Sequence, residues 1–508
     1  MDLWLLTLLL TSFHSCALAG DGKGPDAYGG STVAPMPSTP PTPPTPPVSR
    51  EEVPETPAVT HHSQENPAKE LLQDAPPPLE TVKGDSSEEL VGCEASVSSA
   101  EVQKELGNAM MKFGLRLLEE LPATEEQPNV MVSPLSVTVA LSQLALGAVG
   151  DTETQLLRAL HVDTLPCYHK ALRRLLHRAR DDTLQVASRL YLRPGFAVKP
   201  TFLRGSQQMY DSFLAELRSL EEVNEWVKAA TQGQVTDFLS SLPPNVVLML
   251  INAVHFKGEW EARFDPRFTS TDVFYVDDKH EVKVDMMHGP KYPLSLLIHH
   301  ELDAQVARFP FKDHKSLLVV MPTLGKVNVS AIAAKFNTSE LYASLPEPRN
   351  MEVKLPKFRI EYGQELEQAL TSMGMGRLFS GPNLSRIAEG PLLVSSVQHK
   401  SSMELREEGA EAAAATGVSI MRWSPFFGVN QPFFFALVDD HTQTPVFLGV
   451  VNNPNPGAPL ELRRLTGKRV VPDKGDKDDD ESGDKMADKQ GKNRADKVGP
   501  RTSKDQPK

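Results

Sequence analysis

The stretch between residues 404 and 423 constrains the fold more than any other part of the chain. Gly409 is followed by four consecutive alanines, residues 412–415, and then by an isolated arginine, Arg422. Alanine runs favour helices, but side chains this small also allow a segment to fit between two packed strands, where there is no spare volume for bulk. A lone arginine is where trypsin-like proteases cleave, because their specificity pocket carries a carboxylate.

Two apolar strands are predicted immediately after this stretch. The first begins at Asn430-Gln431-Pro432-Phe433, and the second contains Phe447-Leu448-Gly449. A glycine hinge, an alanine run, a bait arginine and two apolar strands, in that order, resemble the serpin family of serine protease inhibitors, which trap their targets by inserting a cleaved loop into a sheet. The resemblance implies an α+β fold with three β-sheets, about nine helices and an exposed reactive-centre loop. A surface helix followed by core strands is the alternative.

The resemblance also assigns roles within the loop. It implies that the target protease attacks the carbonyl of Arg422 and cuts the bond to Trp423, which is a second bait for enzymes with an apolar pocket. From Gly409 to Arg422 there are fourteen residues, one fewer than in most inhibitory serpins, and the plasmin-inhibiting serpins share this arrangement. The resemblance implies that residues 408 to about 421 enter the sheet after cleavage. The hinge residues are Glu407, Gly409, Ala410, Glu411, Ala412, Ala413, Ala414 and Ala415.

Polar residues in three distant segments match positions that the family uses to control its main sheet. Ser133 lies in a Ser-Pro-Leu-Ser motif where a short strand enters a helix, and Asn252 lies in a predicted central strand. With His399 they are implied to form a cluster, the shutter, that holds the central strands together yet lets them part. Trp260 is implied to pack beneath the place where the loop inserts. Taken singly, each polar residue would more often be an ordinary buried group with a satisfied partner.

Residues 1–19 are predicted to be a secretory signal peptide. Residues 3–10 form a short apolar run and Ala17-Leu18-Ala19 is a small-residue cleavage site, although the segment before the run lacks a basic side chain. No later stretch reaches the roughly twenty apolar residues that span a bilayer. We therefore expect a secreted, monomeric protein of the extracellular space, in plasma.

Only three cysteines occur, and Cys16 leaves with the signal peptide. Cys93 and Cys167 then form an even pair in an oxidising compartment, which predicts one disulfide. Two free thiols are the alternative. Plasmin-inhibiting serpins carry a cysteine pair in similar places, so the resemblance favours the bond. On the chain-entropy account, closing a loop of this size stabilises by about 4 kcal/mol.

Residues 20–96 are predicted to be a disordered arm, and the serpin domain is expected at residues 97–456. The arm repeats Pro-Thr-Pro-Pro between residues 35 and 47, a composition that is extended and cannot form a core. Plasmin-inhibiting serpins carry a transglutaminase-reactive glutamine in the corresponding arm, which crosslinks them to fibrin. Gln64 is the candidate here, and an ordinary glutamine in disordered chain is the alternative.

Residues 457–508 are charged, mixed in sign and poor in apolar side chains, which predicts a disordered tail. Serpins normally end near Asn453-Pro454, so the tail is an addition, and plasmin-inhibiting serpins carry one that presents lysines to the kringle modules of plasmin. A kringle site recognises an ammonium and a carboxylate beside aromatic rings, and a carboxy-terminal lysine supplies both charges. A merely solubilising tail is the alternative. The candidate kringle-binding residues are Lys508, Lys504, Lys497 and Lys492.

Surface modification and polyanion binding are two further expectations. Three Asn-x-Ser/Thr sequons, at Asn328, Asn337 and Asn383, are candidate N-glycosylation sites in a secreted protein. A predicted helix within residues 165–180 carries basic side chains at i, i+3, i+4, i+7 and i+8, which place them on one face. In heparin-activated serpins the corresponding helix binds the polysaccharide; a solvated helix face is the alternative. The basic residues are Lys170, Arg173, Arg174, His177 and Arg178.

Several function classes are disfavoured. The net charge of −13 argues against generic nucleic-acid binding. The chain has no Gly-x-Ser-x-Gly elbow, no His-Glu-x-x-His motif and no phosphate-cradling glycine loop, and its histidines do not fall into metal-ligand spacings. We therefore expect no enzyme activity, no cofactor and no metal. The family resemblance implies a plasmin inhibitor that regulates fibrinolysis. The alternatives are a heparin-controlled serpin that inhibits thrombin or other arginine-specific proteases, and a non-inhibitory serpin.

Overall fold

The computed structural model describes residues 99–179, 182–323, 326–410 and 425–463. Within these ranges, no helix combines the length and the hydrophobicity needed to cross a membrane. Many residues singled out above lie outside the described residues: the predicted signal peptide, Gln64, Cys93, Glu411, Ala412, Ala413, Ala414, Ala415, Arg422, Trp423, Lys492, Lys497, Lys504 and Lys508.

Several helices begin where the sequence supplies a capping side chain. Ser99 accepts hydrogen bonds from the N–H groups of Glu101 and Val102 at the start of the first helix, and Ser133 caps the second, which has a proline in its first turn. The helices are α1 (Ala100–Glu119), α2 (Pro134–Gly147), α3 (Asp151–Ala159), α4 (Tyr168–Ala179), α5 (Pro200–Tyr210), α6 (Leu220–Ala230), α7 (Val329–Lys335), α8 (Thr338–Ser344), α9 (Glu367–Leu370) and α10 (Arg377–Ser380).

The described part of the chain also contains fifteen strands. The strands are β1 (Val130–Val132), β2 (Leu184–Leu192), β3 (Leu214–Glu216), β4 (Leu248–Lys257), β5 (Ser270–Tyr275), β6 (His280–His299), β7 (Ala304–Pro310), β8 (Lys315–Pro322), β9 (Arg349–Pro356), β10 (Phe358–Glu365), β11 (Val394–Leu405), β12 (Phe426–Gly428), β13 (Phe433–Asp439), β14 (Pro445–Val451) and β15 (Glu461–Leu462).

The strands build an α+β architecture, as expected from the sequence. A five-stranded sheet has the order β10-β11-β4-β2-β3. A larger sheet has the order β1-β14-β13-β8-β7-β6-β9-β12, with β5 and β15 also paired to β6. Because β6 is 20 residues long, its two halves pair with different neighbours, and the larger sheet is in effect two sheets that share one strand. Three sheet regions result.

The core lies between the two hydrogen-bonded sheets and the first two helices. β13 and β14 are apolar along almost their whole length and every residue in them is buried, as expected for strands covered on both faces. On the other side of the five-stranded sheet, Val223 and Val227 of α6 pack on Tyr191 of β2 and Ile251 of β4. Helix α6 therefore covers the outer face of the strands at the centre of that sheet.

Candidate functional site

The candidate site is the seam between β4 and β11 in the five-stranded sheet. These strands pair in parallel from Leu248 opposite Val394 to Lys257 opposite Glu404. At the end where Lys257 pairs with Glu404, which we call the upper end, the chain leaves β11 and runs through Ala410 toward the predicted reactive loop. The seam is thus the one place in this sheet where two parallel central strands meet directly beside the start of the loop.

The first hinge residues are held against the segment that follows β4. Trp260 N–H donates to the Glu408 carbonyl at 3.0 Å, and the Ala410 N–H donates to the Trp260 carbonyl at 3.0 Å. Between them, a Cβ at Gly409 would lie 2.5 Å from the Trp260 carbonyl oxygen. Only glycine allows the two backbones to approach this closely. Glycine is therefore required at position 409 because any side chain there would collide with the backbone of Trp260.

Trp260 forms the floor under this hinge segment. Its side chain is fully buried, and its indole Nε1–H donates to the carbonyl of Arg406 at 2.6 Å. The ring stacks on Phe311 with centroids 4.3 Å apart and meets Phe264 edge-on. A tryptophan suits this position because it fills a large apolar volume and still supplies one polar donor. Trp260 therefore packs against the first residues of the predicted hinge, and its position beneath an inserted loop stays a prediction.

Glu407 ties the hinge base to the neighbouring strands. Its carboxylate accepts a hydrogen bond from Thr269 Oγ1 at 2.8 Å and pairs with Lys357 Nζ at 3.1 Å. Burial alone would raise the pKa of this carboxyl, but hydrogen bonds from its own backbone N–H, from Thr269 and from Lys357 lower it below the usual value. The hinge base is consequently held by a charged, partly buried contact that has to break if Glu407 moves.

The structure brings the three predicted shutter residues together across the seam. His399 of β11 lies opposite Asn252 of β4 in the strand register. The Ser133 N–H donates to His399 Nε2 at 3.2 Å, and His399 Nδ1 lies 2.7 Å from Asn252 Oδ1. Because Nε2 accepts, the proton belongs on Nδ1, which donates to the amide oxygen. One neutral histidine therefore links both central strands to the start of α2.

Ser136 completes the cluster, although the sequence reasoning treated it only as part of a motif. Its Oγ donates to Asn252 Oδ1 at 2.7 Å, and Asn252 Nδ2 donates to the Ser136 carbonyl at 2.9 Å. Both bonds join α2 to β4, whereas only His399 reaches β11. If the seam opens, the cluster can therefore stay attached to β4, and only the hydrogen bonds of His399 to Ser133 and Asn252 have to break.

Burial lowers the pKa of His399 to about 3. An exposed histidine in the unfolded chain has a pKa of about 6.5, so the unfolded state binds the proton first as the pH falls. Above about pH 6.5 the imidazole is neutral in both states, and His399 makes the free energy of unfolding no lower. Between about pH 6.5 and pH 3 only the unfolded chain binds the proton, so the free energy of unfolding falls by about 1.4 kcal/mol per pH unit. We therefore expect the native state to be markedly less stable at pH 5 than at pH 7.

The pH dependence can be assigned to His399 by substitution. Urea unfolding of His399→Gln, which keeps a polar side chain but cannot titrate, is expected to show a shallower loss of stability between pH 7 and pH 5. The same change at exposed His300 is the matched control. Equal slopes for the wild type and His399→Gln would contradict the role of His399.

A second polar cluster locks the lower end of β11 to β10, and the sequence reasoning missed it. Glu365 accepts a hydrogen bond from the Val397 N–H at 2.8 Å and from Gln398 Nε2 at 2.5 Å, and Ser396 also donates to it. Higher up, Ser401 Oγ donates to the Met131 carbonyl at 2.8 Å. The signal in the sequence is the unusual number of serines and other polar residues in a strand that is otherwise buried.

The other described candidates lie away from the seam. Asn328 and Asn337 are exposed N-caps of α7 and α8, and Asn383 is also exposed. Cys167 is disulfide-bonded, and both other cysteines lie outside the described ranges. In the basic face of α4, Lys170 is partly buried and the remaining members are exposed, namely Arg173, Arg174, His177 and Arg178.

Comparisons with known proteins agree with this architecture. Residues 108–454 match the family described as "Serpin (serine protease inhibitor)". Alpha-2-antiplasmin of Mus musculus is 42% identical over 384 residues, which cover 74% of this chain and 78% of that protein. Alpha-2-antiplasmin of Bos taurus is 40% identical over 369 residues, covering 72% and 75% respectively.

More distant proteins share the fold. Pigment epithelium-derived factor of Homo sapiens is 30% identical over 407 residues, which cover 78% of this chain and 96% of that protein. The crystal structure of mouse protein Z-dependent protease inhibitor matches with a TM-score of 0.63 at 24% identity, over 70% of this chain and 98% of that one. That structure supports the fold alone.

Proposed function

The chain belongs to the serpin family of serine protease inhibitors, and we propose that it is a secreted inhibitor that traps plasmin and thereby regulates fibrinolysis. The observation that carries this proposal is the seam between β4 and β11, closed by one parallel ladder and lying directly below the hinge. Plasmin as the target is supported by the name of the two antiplasmin relatives and by the arginine bait, Arg422.

The proposed reaction is an interrupted proteolysis. The catalytic serine of the protease attacks the carbonyl of Arg422, an ester forms, and the amine of Trp423 leaves. The freed segment, residues 408–421, then enters between β4 and β11. About 13 of these 14 residues, at roughly 3.3 Å each, make a strand of about 40–45 Å. The acylated protease is carried over that distance, and its active site is distorted before water can hydrolyse the ester.

The contacts described above are those that loop insertion has to break. Hinge release breaks the two backbone bonds at Trp260 and the ion pair between Glu407 and Lys357. Opening of the seam then separates His399 from Asn252, while Ser136 keeps Asn252 in place. The inserted strand turns back from β11 and therefore runs antiparallel to both central strands. One parallel ladder is thus replaced by two antiparallel ladders. More backbone pairing in the final state makes the insertion favourable.

Processing, crosslinking, glycosylation and kringle binding complete the proposal. We propose that Cys93 pairs with Cys167, that residues 1–19 are removed on secretion, and that Gln64 is a transglutaminase site for crosslinking to fibrin. Asn328, Asn337 and Asn383 are proposed glycosylation sites, supported by their exposure. The lysines of the tail, Lys508 above all, are proposed to bind the kringle modules of plasmin.

A second candidate function is control by a sulfated polysaccharide of an inhibitor of thrombin or another arginine-specific protease. The exposed basic face of α4 favours it, since four cationic or titratable side chains there point to solvent. The two functions differ in what accelerates inhibition. Heparin would raise the rate with thrombin in the second case, whereas the kringles would raise the rate with plasmin in the first.

Mixing the chain with plasmin tests the main proposal. We expect a complex that survives SDS, and a released carboxy-terminal fragment whose sequence begins at Trp423. Plasmin whose catalytic serine has been chemically blocked is the control and should give neither product. Release of a fragment that starts elsewhere would move the bait position, and cleavage without a stable complex would exclude inhibitory trapping of plasmin.

A further inference from the structure

A groove with a volume of about 1060 Å³ lies between three helices and the turn that joins α9 to α10. Three of its walls are the faces of α1, α3 and α7 whose residues recur at i, i+3 and i+4. The fourth wall is the turn Thr371–Met375. None of the lining residues belongs to β4, β11 or the hinge. The groove is therefore separate from the seam that carries the proposed inhibition.

Small residues leave the space that forms this groove. Helix α7 contributes Ala333 and Ala334 to the lining, and α3 contributes Ala159. In the fourth wall, Gly374 has a φ of 90°, a backbone conformation that favours glycine. Its carbonyl accepts a hydrogen bond from Gln155 Nε2 of α3. A hydrogen bond between two of the walls therefore helps to hold the groove in shape.

Two cationic side chains that line the groove have no carboxylate partner. Lys112 and Arg116 lie one turn apart on α1, and both are exposed. Within the described ranges, no carboxylate approaches either of them closely enough to form an ion pair. A third cation, Arg158 of α3, makes only a loose pair with Asp163 at 3.9 Å. Three cations on two walls can therefore turn toward one ligand.

The electrostatic field at this place is positive. Desolvation, and after it the ammonium of Lys112, lower the pKa of His161, which also lines the groove, although Asp163 opposes them. A cation that disfavours a second positive charge nearby favours a negative one for the same reason. An anionic group is therefore the charge that this part of the groove attracts.

Apolar surface beside these cations restricts the ligand further. Leu115, which is buried, and Met373, which is half-buried, both line the groove, and an apolar body would remove their remaining surface from water. A bare inorganic anion would leave that surface uncovered. A long polyanion also fits poorly, because Glu119 follows Arg116 by one turn on the same face of α1 and ends the basic surface there.

We propose that this groove binds a small amphipathic anion, that is, an apolar ring system or chain that carries one acidic group. Lys112 and Arg116 hold the acidic group through charge-assisted hydrogen bonds, Arg158 adds a third cation, and the apolar lining covers the body of the ligand. A cavity of this size is typical of sites for small organic molecules. The inference does not depend on plasmin as the target, because the groove and the seam share no residue.

Two matched probes separate the charge of the ligand from its apolar body. Anilinonaphthalene sulfonate carries both, whereas phenylnaphthylamine has the same aromatic rings without the sulfonate. Calorimetric titration of the full chain at neutral pH is expected to show one saturable site for the sulfonate. The neutral amine should bind at least about tenfold more weakly, because it forms no charge-assisted hydrogen bond.

Variants assign the site to the groove. The double variant Lys112→Gln/Arg116→Gln is expected to bind the sulfonate at least about tenfold more weakly and the neutral amine equally well. Lys104→Gln is the matched control, because Lys104 is an exposed lysine of α1 that does not line the groove. Ala333→Leu, which fills the groove, should weaken both probes. Melting curves without probe show that each variant is folded.

Several results would overturn this inference. The wild type could show no saturable site for the sulfonate, or it could bind both probes equally well, which would exclude recognition of the anionic group. Unchanged sulfonate binding in the double variant or in Ala333→Leu would place the probe on another surface. Displacement of the sulfonate by a heparin oligosaccharide would assign the cations to a polyanion and exclude a compact ligand.

Discussion

Cutting the Arg422–Trp423 bond with a protease that escapes trapping is expected to raise the melting temperature by about 20 °C. In the described structure the seam between β4 and β11 is closed by a single parallel ladder. An inserted strand of about 13 residues pairs on both sides, which adds on the order of ten backbone hydrogen bonds at roughly 1 kcal/mol each. Heat unfolding of intact and cut chains, followed by circular dichroism, measures the difference.

Cleavage is also expected to change the surroundings of His399 in the shutter. His399 donates to Asn252 across the closed seam, and an inserted strand would separate the two residues. The imidazole environment, followed by NMR, should therefore change on cleavage, and a sample that is cut but prevented from inserting should keep the intact pattern. If the cut and intact chains melted together, the native sheet would hold no stored free energy, and trapping by insertion would be excluded.

Part of the candidate site was predictable because a few residue types follow one another in the order that the serpin family uses. Gly409 before an alanine run indicated a hinge, and the structure supplies the cause in the 2.5 Å approach to the Trp260 carbonyl. Asn252 and His399 are far apart in sequence, and only the family resemblance suggested that they meet. Their pairing depends on the parallel register of β4 and β11, which no local pattern encodes.

The sequence was less informative where function depends on short polar contacts. Glu365 holds the lower end of β11 through bonds to Val397 and Gln398, and its role depends on the register of β10. The domain boundary expected at residue 456 is a second example, because the structure continues in ordered contacts through Arg463. A charged segment of three residues shows no hydrophobic periodicity, so it could not be told from the tail that follows.

Replacing Ala412 by glutamate is expected to convert the inhibitor into a substrate. Side chains of an inserted strand alternate between the two faces of the sheet. Glu411 is charged and has to face outward, so Ala412 and Ala414 face the main core, where β4 contributes Leu250 and Val254. Burying an unpaired carboxylate there costs several kcal/mol, and each 1.4 kcal/mol added to the insertion barrier slows insertion tenfold.

Slow insertion gives water time to hydrolyse the ester, so the two fates of the acyl-enzyme report the barrier directly. Titrating plasmin with the Ala412→Glu variant should show the stoichiometry of inhibition rising roughly tenfold, with a cut chain as the main product instead of an SDS-stable complex. Ala413→Glu is the matched control, because its side chain shares the outward face with Glu411 and should leave trapping nearly unchanged. Undiminished covalent trapping by Ala412→Glu would contradict insertion of the loop between β4 and β11 in this register. An equal loss of trapping in both variants would contradict it as well.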